Sequence, residues 1–394
     1  MELMTMQNFT DSSRIIITCS NRLSPWLEKD LQQIGYKPEQ IFKTGARLHG
    51  SLNDCIRLNL HLRTASQVLY SLGSFTAVDA NELYERLLEF PWERIMQADT
   101  YFSITSNVSN PTISNNLFAN VKVKDAIADR FRKHTGQRPS SGSALQGLVI
   151  HLYWKDDLAE LFIDTSGQTL SKHGYRKIPG KAPMLESLAA ATLLAGNWNP
   201  DMQFVNPMCG SGTLAIEAAM IATGRTPGLY RNNYSFMHIA GYDDSVYTKY
   251  KKEIESAIKE ELNISIIATD IRRDAVEISK INAGIAGVEK FIEFEICDFR
   301  DTKIPPAPGA VYFNPEYGDR LGEEIKLTET YRAMGDFMKK DCQGYWGYIF
   351  TGNLELAKKI GLKPKRRIEF FNSKIDCRLM EYELYAGSRE SKLT

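Results

Sequence analysis

Residues 202–205 form a short apolar run, Asn206-Pro-Met-Cys-Gly-Ser-Gly-Thr213 follows without a break, and residues 214–222 are an alanine-rich helical stretch. A strand that passes through a glycine turn straight into a helix is the first crossover of a doubly wound fold. That fold is a parallel sheet covered by helices, and it binds ligands outside the carboxyl ends of its strands. The downstream sequence repeats the alternation. Helix 247–260 leads to strand 264–269, ending at Asp270; helix 274–283 leads to strand 291–296, ending at Cys297-Asp298. Strand 310–313 stops at Asn314-Pro315, because proline cannot continue a central ladder. Helix 327–338, strand 345–350 and a hairpin of 368–371 with 378–385 complete the pattern, and residues beyond Gly387 read as a frayed tail.

The 394 residues leave room for two or three domains. Upstream of the doubly wound half, strands and helices mix without a nucleotide-binding loop, which suggests a small α+β module. The expected elements are strand 14–19, helix 23–34, strand 54–62, helices 65–73 and 80–90, strand 101–108, helix 119–132 and a hairpin of 148–154 with 160–165. Ser166-Gly167 and Lys172-His-Gly-Tyr-Arg-Lys177 form a polar link to a helix over 182–196, with Pro183 in its first turn. Residues 224–243 interrupt the second half as an insertion carrying Tyr230, Arg231, Tyr234, Phe236 and His238.

Formal net charge is zero, so no global field draws nucleic acid to the chain. Charge is segregated locally instead: residues 110–181 hold eleven Lys/Arg against six Asp/Glu, a pattern suited to phosphate contact. The six cysteines lie far apart with no C-x-x-C pair, which argues against a disulfide framework or zinc site and fits a reducing cytoplasm. No signal peptide and no membrane span is expected.

Three strand ends carry ligand-type residues. Gly210 and Gly212 allow close backbone approach. Gly210-Ser-Gly-Thr-Leu-Ala215 also satisfies the dinucleotide fingerprint, which requires an acid about 20 positions on. No Asp or Glu occurs between Glu217 and Asp243, and the acid at the second strand end is Asp270. Asp270 suits a ribose diol, and Asp298 suits an adenine amino group, with Ile271 and Phe299 lining the ring. A nucleoside pocket without a pyrophosphate clamp points to S-adenosylmethionine, and no metal is expected. At the fourth strand end, the Asn314 side-chain oxygen and the Pro315 carbonyl are two acceptors for the N–H groups of an aromatic amine. Tyr317 offers a flat face for a flipped base.

Together these stretches resemble class I methyltransferases acting on exocyclic amines, through Asn206-Pro-Met-Cys-Gly-Ser-Gly-Thr, Ala268-Thr-Asp270, Cys297-Asp298-Phe299 and Asn314-Pro-Glu-Tyr-Gly-Asp-Arg-Leu-Gly. More narrowly, the chain is similar to THUMP-domain RNA guanine-N2 methyltransferases, a likeness extended by Leu161-Phe-Ile-Asp-Thr-Ser-Gly, His173-Gly-Tyr-Arg, Thr226-Pro-Gly-Leu and Ile375-Asp-Cys-Arg-Leu. The resemblance implies a Rossmann-like α/β methyltransferase domain over 182–388, with a mostly parallel seven-stranded sheet and a C-terminal antiparallel hairpin. Before it would come a ferredoxin-like segment over 1–47, a THUMP RNA-binding domain over 48–165 and a linker over 166–181, with a tail over 389–394 behind. It also implies a cofactor set of Asn206, Pro207, Cys209, Gly210, Gly212, Thr213, Asp270, Ile271, Asp298, Phe299 and Asn314, and a catalytic set of Asn314, Pro315, Glu316 and Tyr317. Contacts to structured RNA, 23S rRNA by the resemblance, would fall to Lys122, Lys124, Arg130, Arg132, Lys133, Lys172 and Arg176.

Two departures stand out. The family places Asp before Pro-Met-Cys-Gly-Ser-Gly, and here it is Asn206; its tetrad is Asn-Pro-Pro-Tyr, and here Glu316 replaces the second proline. A carboxylate at 316 would accept from guanine N1–H and repel the N1 lone pair of adenine. Two other classes remain compatible with the residues: an N6-adenine nucleic-acid methyltransferase, and a non-catalytic RNA-binding protein with a relic cofactor pocket.

Overall fold

The structure, a computed structural model, describes residues 8–113, 115–178, 183–317 and 324–385. The chain forms two compact units. One comprises Met1–Cys19, Leu31–Leu170 and Arg231–Glu253; the other comprises Ser20–Asp30, Ser171–Tyr230 and Ile254–Thr394. In chain order the first elements are β1 (Ser13–Thr18), α1 (Ser24–Gln33), β2 (Gln40–Phe42), β3 (Gly45–Gly50), α2 (Leu52–His61), β4 (Gln67–Thr76) and α3 (Ala80–Glu89). Then come β5 (Phe102–Ser109), α4 (Asn116–Thr135), β6 (Leu148–Lys155) and β7 (Leu158–Asp164).

The first unit is built on one seven-stranded sheet in the order β2-β3-β1-β4-β7-β6-β5. Its pairs are antiparallel except β5 with β6. Two expectations fail here. Residues 54–62 alternate like a strand, yet they lie in α2. Ser51 starts that helix: its hydroxyl accepts from the Asp54 N–H while the Asp54 carboxylate takes the Ser51 N–H, a reciprocal cap. Residues 65–73 read as a helix, yet most of them form β4. That strand lies between β1 and β7 and is buried along nearly its whole length, so its apolar run carries no period of two.

Two histidines of this unit make its stability pH-dependent. Burial pushes His61 and His151 down to about 4 from 6.5. Between those values the unfolded chain binds protons that the native unit does not, so stability falls as pH falls through this window. Asp164 has the opposite sign, because burial pushes its carboxyl up to about 6. Replacing both histidines with Gln is expected to remove on the order of 1 kcal/mol of acid destabilisation per residue, after discounting their partial exposure. Chemical denaturation of wild type and variant from pH 7 to 4 checks this. Parallel curves would refute it.

The second half continues with α5 (Glu186–Ala195), β8 (Gln203–Pro207), α6 (Thr213–Thr223), α7 (Asp244–Ser256), β9 (Ile266–Asp270), α8 (Arg273–Ile285) and β10 (Ile292–Ile296). It ends with β11 (Gly309–Phe313), α9 (Glu324–Asp341), β12 (Tyr345–Thr351), α10 (Leu354–Ala357), β13 (Arg366–Asn372) and β14 (Ile375–Glu383). The sheet order is β10-β9-β8-β11-β12-β14-β13. Every pair is parallel except those of β14 with β12 and β13. This is the expected mostly parallel sheet with an antiparallel hairpin. β11 is buried at all five positions, as a strand covered on both faces must be. Helix α5 starts later than expected, at Glu186, so Pro183 precedes the helix rather than opening it. Ala182 and the tail beyond Gly387 lie outside the described residues.

The insertion has a structural role that its sequence did not announce. Residues 231–253 belong to the first unit. Ser235 Oγ accepts from the Val149 N–H at 2.8 Å, the Phe236 N–H donates to the Thr165 carbonyl, and the Ala240 N–H donates to the Ile95 carbonyl. Tyr234 and Phe236 stack at 4.9 Å and are fully buried. Among the described residues no helix is long and apolar enough to cross a membrane, and no group of three or more His, Cys, Asp or Glu could hold a metal ion.

Candidate active site

The strand order of the second unit reverses between β8 and β11, which places a crevice at their carboxyl ends. Pairing between them runs only from Gly309↔Gln203 to Val311↔Val205. Beyond that, Asn206 spans the gap: its Nδ2 donates to the Tyr312 carbonyl at 2.8 Å. The bond explains an amide at this position, since a carboxylate there would face a carbonyl with no proton to give. Asn206 Oδ1 is buried and has no protein partner.

The loop after β8 is held in left-handed backbone at three points: Met208 (φ 60), Gly210 (φ 58) and Gly212 (φ 80). A Cβ at Gly210 would meet nothing within 4 Å, so the backbone is open to a ligand there. At Gly212 a Cβ would lie 2.9 Å from the Ser279 Cβ, so glycine is required for α8 to pack this close. The Gly210 N–H donates to Asp270 Oδ2 at 3.0 Å, and Ser279 Oγ donates to the Gly210 carbonyl at 2.8 Å. Pro207 pairs with Thr269 in the sheet. Cys209 donates its N–H to the Thr269 carbonyl, and burial pushes its thiol up to about 12, so it packs rather than reacts. Thr213 is buried at the start of α6 and accepts from Arg176 at 3.3 Å.

The other strand ends depart from expectation in two places. Ile271 is 68% exposed, as a residue meant to cover a ring should be, but Phe299 is 9% exposed. Its ring packs edge-on against Phe313 at 5.9 Å and Phe337 at 6.0 Å, in the core rather than over the crevice. The pKa of the Asp298 carboxyl is lowered, chiefly by its hydrogen bonds from Arg300. Tyr317 is only partly exposed. Its hydroxyl donates to Asn314 Oδ1 at 3.3 Å, and its ring centroid lies 6.4 Å from that of Phe350. Glu316 is exposed. The pKa of the Arg272 guanidinium is raised chiefly by its hydrogen bond to Asp274, and the Glu316 carboxylate is the smallest of the charges acting on it.

The expected RNA contacts divide. Arg176 is 10% exposed and pairs with Glu186 at 2.6 Å. Arg130 is 14% exposed and forks onto Glu93 at 2.7 and 3.0 Å. Arg176 is committed to the buried Glu186 and Arg130 to the exposed Glu93, so neither stands free for phosphate. Arg132 pairs with Asp129, Lys124 lies 3.6 Å from Asp125, and Lys122 sits over the rings of Tyr84 and Phe118. Lys133 and Lys172 are exposed. Sequence reasoning missed Ser279, which sits in an ordinary amphipathic helix. It also missed Asn353 and Tyr331, whose side chains hold the chain after Pro315.

The family model of the RlmL ferredoxin-like domain matches residues 14–69, and that of the THUMP domain matches 77–164. A ribosomal RNA large subunit methyltransferase K/L of Syntrophotalea carbinolica is 33% identical over 384 residues, covering 94% of this chain and 53% of that protein. The chain thus spans about half the length of the curated relatives it matches. Among solved structures, SMU.472, a methyltransferase complexed with SAH, superposes with a TM-score of 0.86 at 25% identity, covering 97% of this chain and all of that one. A predicted N6-adenine-specific DNA methylase from Listeria monocytogenes superposes with a TM-score of 0.83 at 30% identity, covering 96% of this chain and 97% of that one. The model of the RMKL-like methyltransferase domain matches residues 173–381, more than half of the chain's 394 residues, and the chain belongs to that family.

Proposed function

We propose that this chain methylates the exocyclic N2 amine of a guanine in RNA, with S-adenosylmethionine as donor and 23S rRNA as substrate. The observation that carries the reading is the pair of acceptors, Asn314 Oδ1 and the Pro315 carbonyl, at the tip of β11, next in the sheet to the open glycine loop of β8. The surrounding residues fit the donor. Gly210 leaves its backbone open, Asn206 Oδ1 is a buried acceptor without a protein partner, and Ile271 is an exposed apolar cover. Bound there, the donor supplies an electrophilic methyl group on a sulfonium.

The chain's own residues orient the nucleophile. An amide oxygen has two lone pairs, so Asn314 Oδ1 accepts from the Tyr317 hydroxyl and keeps one site for an amine N–H. The Pro315 carbonyl accepts the second N–H from a backbone whose φ the ring restricts. With both protons held, the nitrogen lone pair is left to attack. Once the nitrogen becomes cationic its proton is acidic and passes to water, so no strong base is required and the neutral acceptors serve only to hold the N–H groups. The exposed Glu316 carboxylate favours guanine, whose N1–H it accepts. The segment matching the THUMP domain captures structured RNA, with Lys133 among its phosphate contacts, Lys172 of the link adds another, and the protein works in the cytoplasm. Mass spectrometry of 23S rRNA nucleosides from cells with and without the gene tests the reading. Loss of N2-methylguanosine is expected. Unchanged N2-methylguanosine with loss of N6-methyladenosine would move the target to adenine.

A further inference from the structure

We propose that Asn353 and Tyr331 are positioning residues that set the geometry of the amine acceptors, a proposal that rests on the methyl-transfer reading above. After Pro315 the chain leaves the sheet, so the carbonyls of Glu316 and Tyr317 have no ladder partner. Two side chains from other elements take them. The Tyr331 hydroxyl, from α9, lies 3.3 Å from the Glu316 carbonyl oxygen, and Asn353 Nδ2 donates to the Tyr317 carbonyl at 3.0 Å. Both are braced. Tyr331 is fully buried, and its oxygen lies 2.8 Å from Thr351 Oγ1 at the end of β12. The Asn353 N–H donates to the same Thr351 hydroxyl at 3.0 Å. Asn353 Oδ1 meanwhile caps α10, accepting the N–H groups of Glu355 and Leu356 at 3.1 and 3.0 Å.

The consequence follows from peptide planarity. Each peptide unit is rigid, so fixing a carbonyl fixes the plane that carries it. Two fixed planes follow Pro315, whose own φ is restricted by its ring. The Pro315 carbonyl is therefore bracketed on both sides. Tyr317 extends the chain of constraint to the other acceptor, because its hydroxyl bonds Asn314 Oδ1. Gly352 makes the approach possible: a Cβ there would meet the Tyr317 ring at 3.2 Å and Ile375 at 2.6 Å. The ends of β11 and β12 are thus tied by side chains just where the substrate nitrogen would be held.

Asn353 joins two jobs that substitution can separate. Asn353→Asp keeps a capping oxygen, and Asp caps helices as well as Asn, but it sets an acceptor against the Tyr317 carbonyl. Asn353→Ala loses both functions. The expected result for Asn353→Asp is a Tm within about 2 °C of wild type, an unchanged Kd for S-adenosylhomocysteine by calorimetry, and a kcat for rRNA methylation lower by roughly 10–100-fold. Tyr331→Phe is expected to lower kcat in the same way, while Asn353→Ala lowers Tm as well. Wild-type kcat in Asn353→Asp would overturn the proposal. So would a Tm loss equal to that of Asn353→Ala, which would leave capping as the residue's whole role. Wild-type protein in the same assay separates the two layers of argument: if it transfers no methyl group, the functional reading falls and this proposal with it. If wild type and Asn353→Asp transfer alike, only the positioning falls.

Discussion

Asn314→Ala is expected to lower kcat by roughly 10²–10³-fold, the range found when one preorganised hydrogen-bonding group is removed from a reacting centre. The affinity for S-adenosylhomocysteine should change by less than about threefold, since the bond at stake is made to the amine and not to the donor. The structural disturbance is small. Asn314 is only partly buried at a strand end, and its removal takes one hydrogen bond from the Tyr317 hydroxyl, which also interacts with Asn372 and Cys377. Such a site is expected to lose about 1 kcal/mol or less of stability. Single-turnover transfer of a labelled methyl group to an rRNA fragment measures the chemical step, and calorimetry measures the affinity. Asn314 was also expected from the sequence to touch the cofactor, and the two roles diverge in this experiment. An affinity loss matching the rate loss would assign it to the donor and remove the amine bracket.

The parts of this site that sequence alone revealed are those fixed by local covalent chemistry. Proline ends β11 wherever that strand sits, and glycine at 210 and 212 is demanded by positive φ. Alternation of strand and helix was enough to imply a doubly wound sheet with ligand-type residues at its strand ends. What sequence hid depends on partners far along the chain. Phe299 follows Asp298 at a strand end, which suggested a pocket wall, but Phe313 and Phe337 claim its ring for the core. Arg176 looked like a phosphate contact until Glu186 appeared beside it. The strand at β4 was concealed by its own burial, since a strand covered on both faces loses the alternation by which strands are read. Asn353 had a local signal, a polar residue just past a strand and before a short helix. That signal announces the cap on α10 and says nothing of the Tyr317 carbonyl.

The largest expected effect on stability lies behind the glycine loop, at Glu217 of α6. Glu217 is fully buried, and its Oε1 lies 2.7 Å from His173 Nδ1 and accepts the Tyr175 hydroxyl at 2.8 Å. His173 and Tyr175 come from the link that precedes α5, so this one oxygen fastens that link to the helix that the glycine loop enters. Oε2 has no protein partner. Glu217→Ala removes the acceptor of the buried Tyr175 hydroxyl and the contact to His173 Nδ1 and opens a cavity, and it is expected to destabilise the protein by about 3–5 kcal/mol. Glu217→Gln separates acceptor from charge. A neutral amide oxygen still has two lone pairs for two donors, and the amide nitrogen takes the place of the unpartnered Oε2. If the oxygen's geometry is what matters, Gln should lie within about 1 kcal/mol of wild type, because replacing a buried charge without removing its hydrogen bonds removes a desolvation penalty too. Urea denaturation of the three proteins at pH 7 decides. A loss in Gln as large as in Ala would mean that the cluster is held by the negative charge rather than by a shared acceptor.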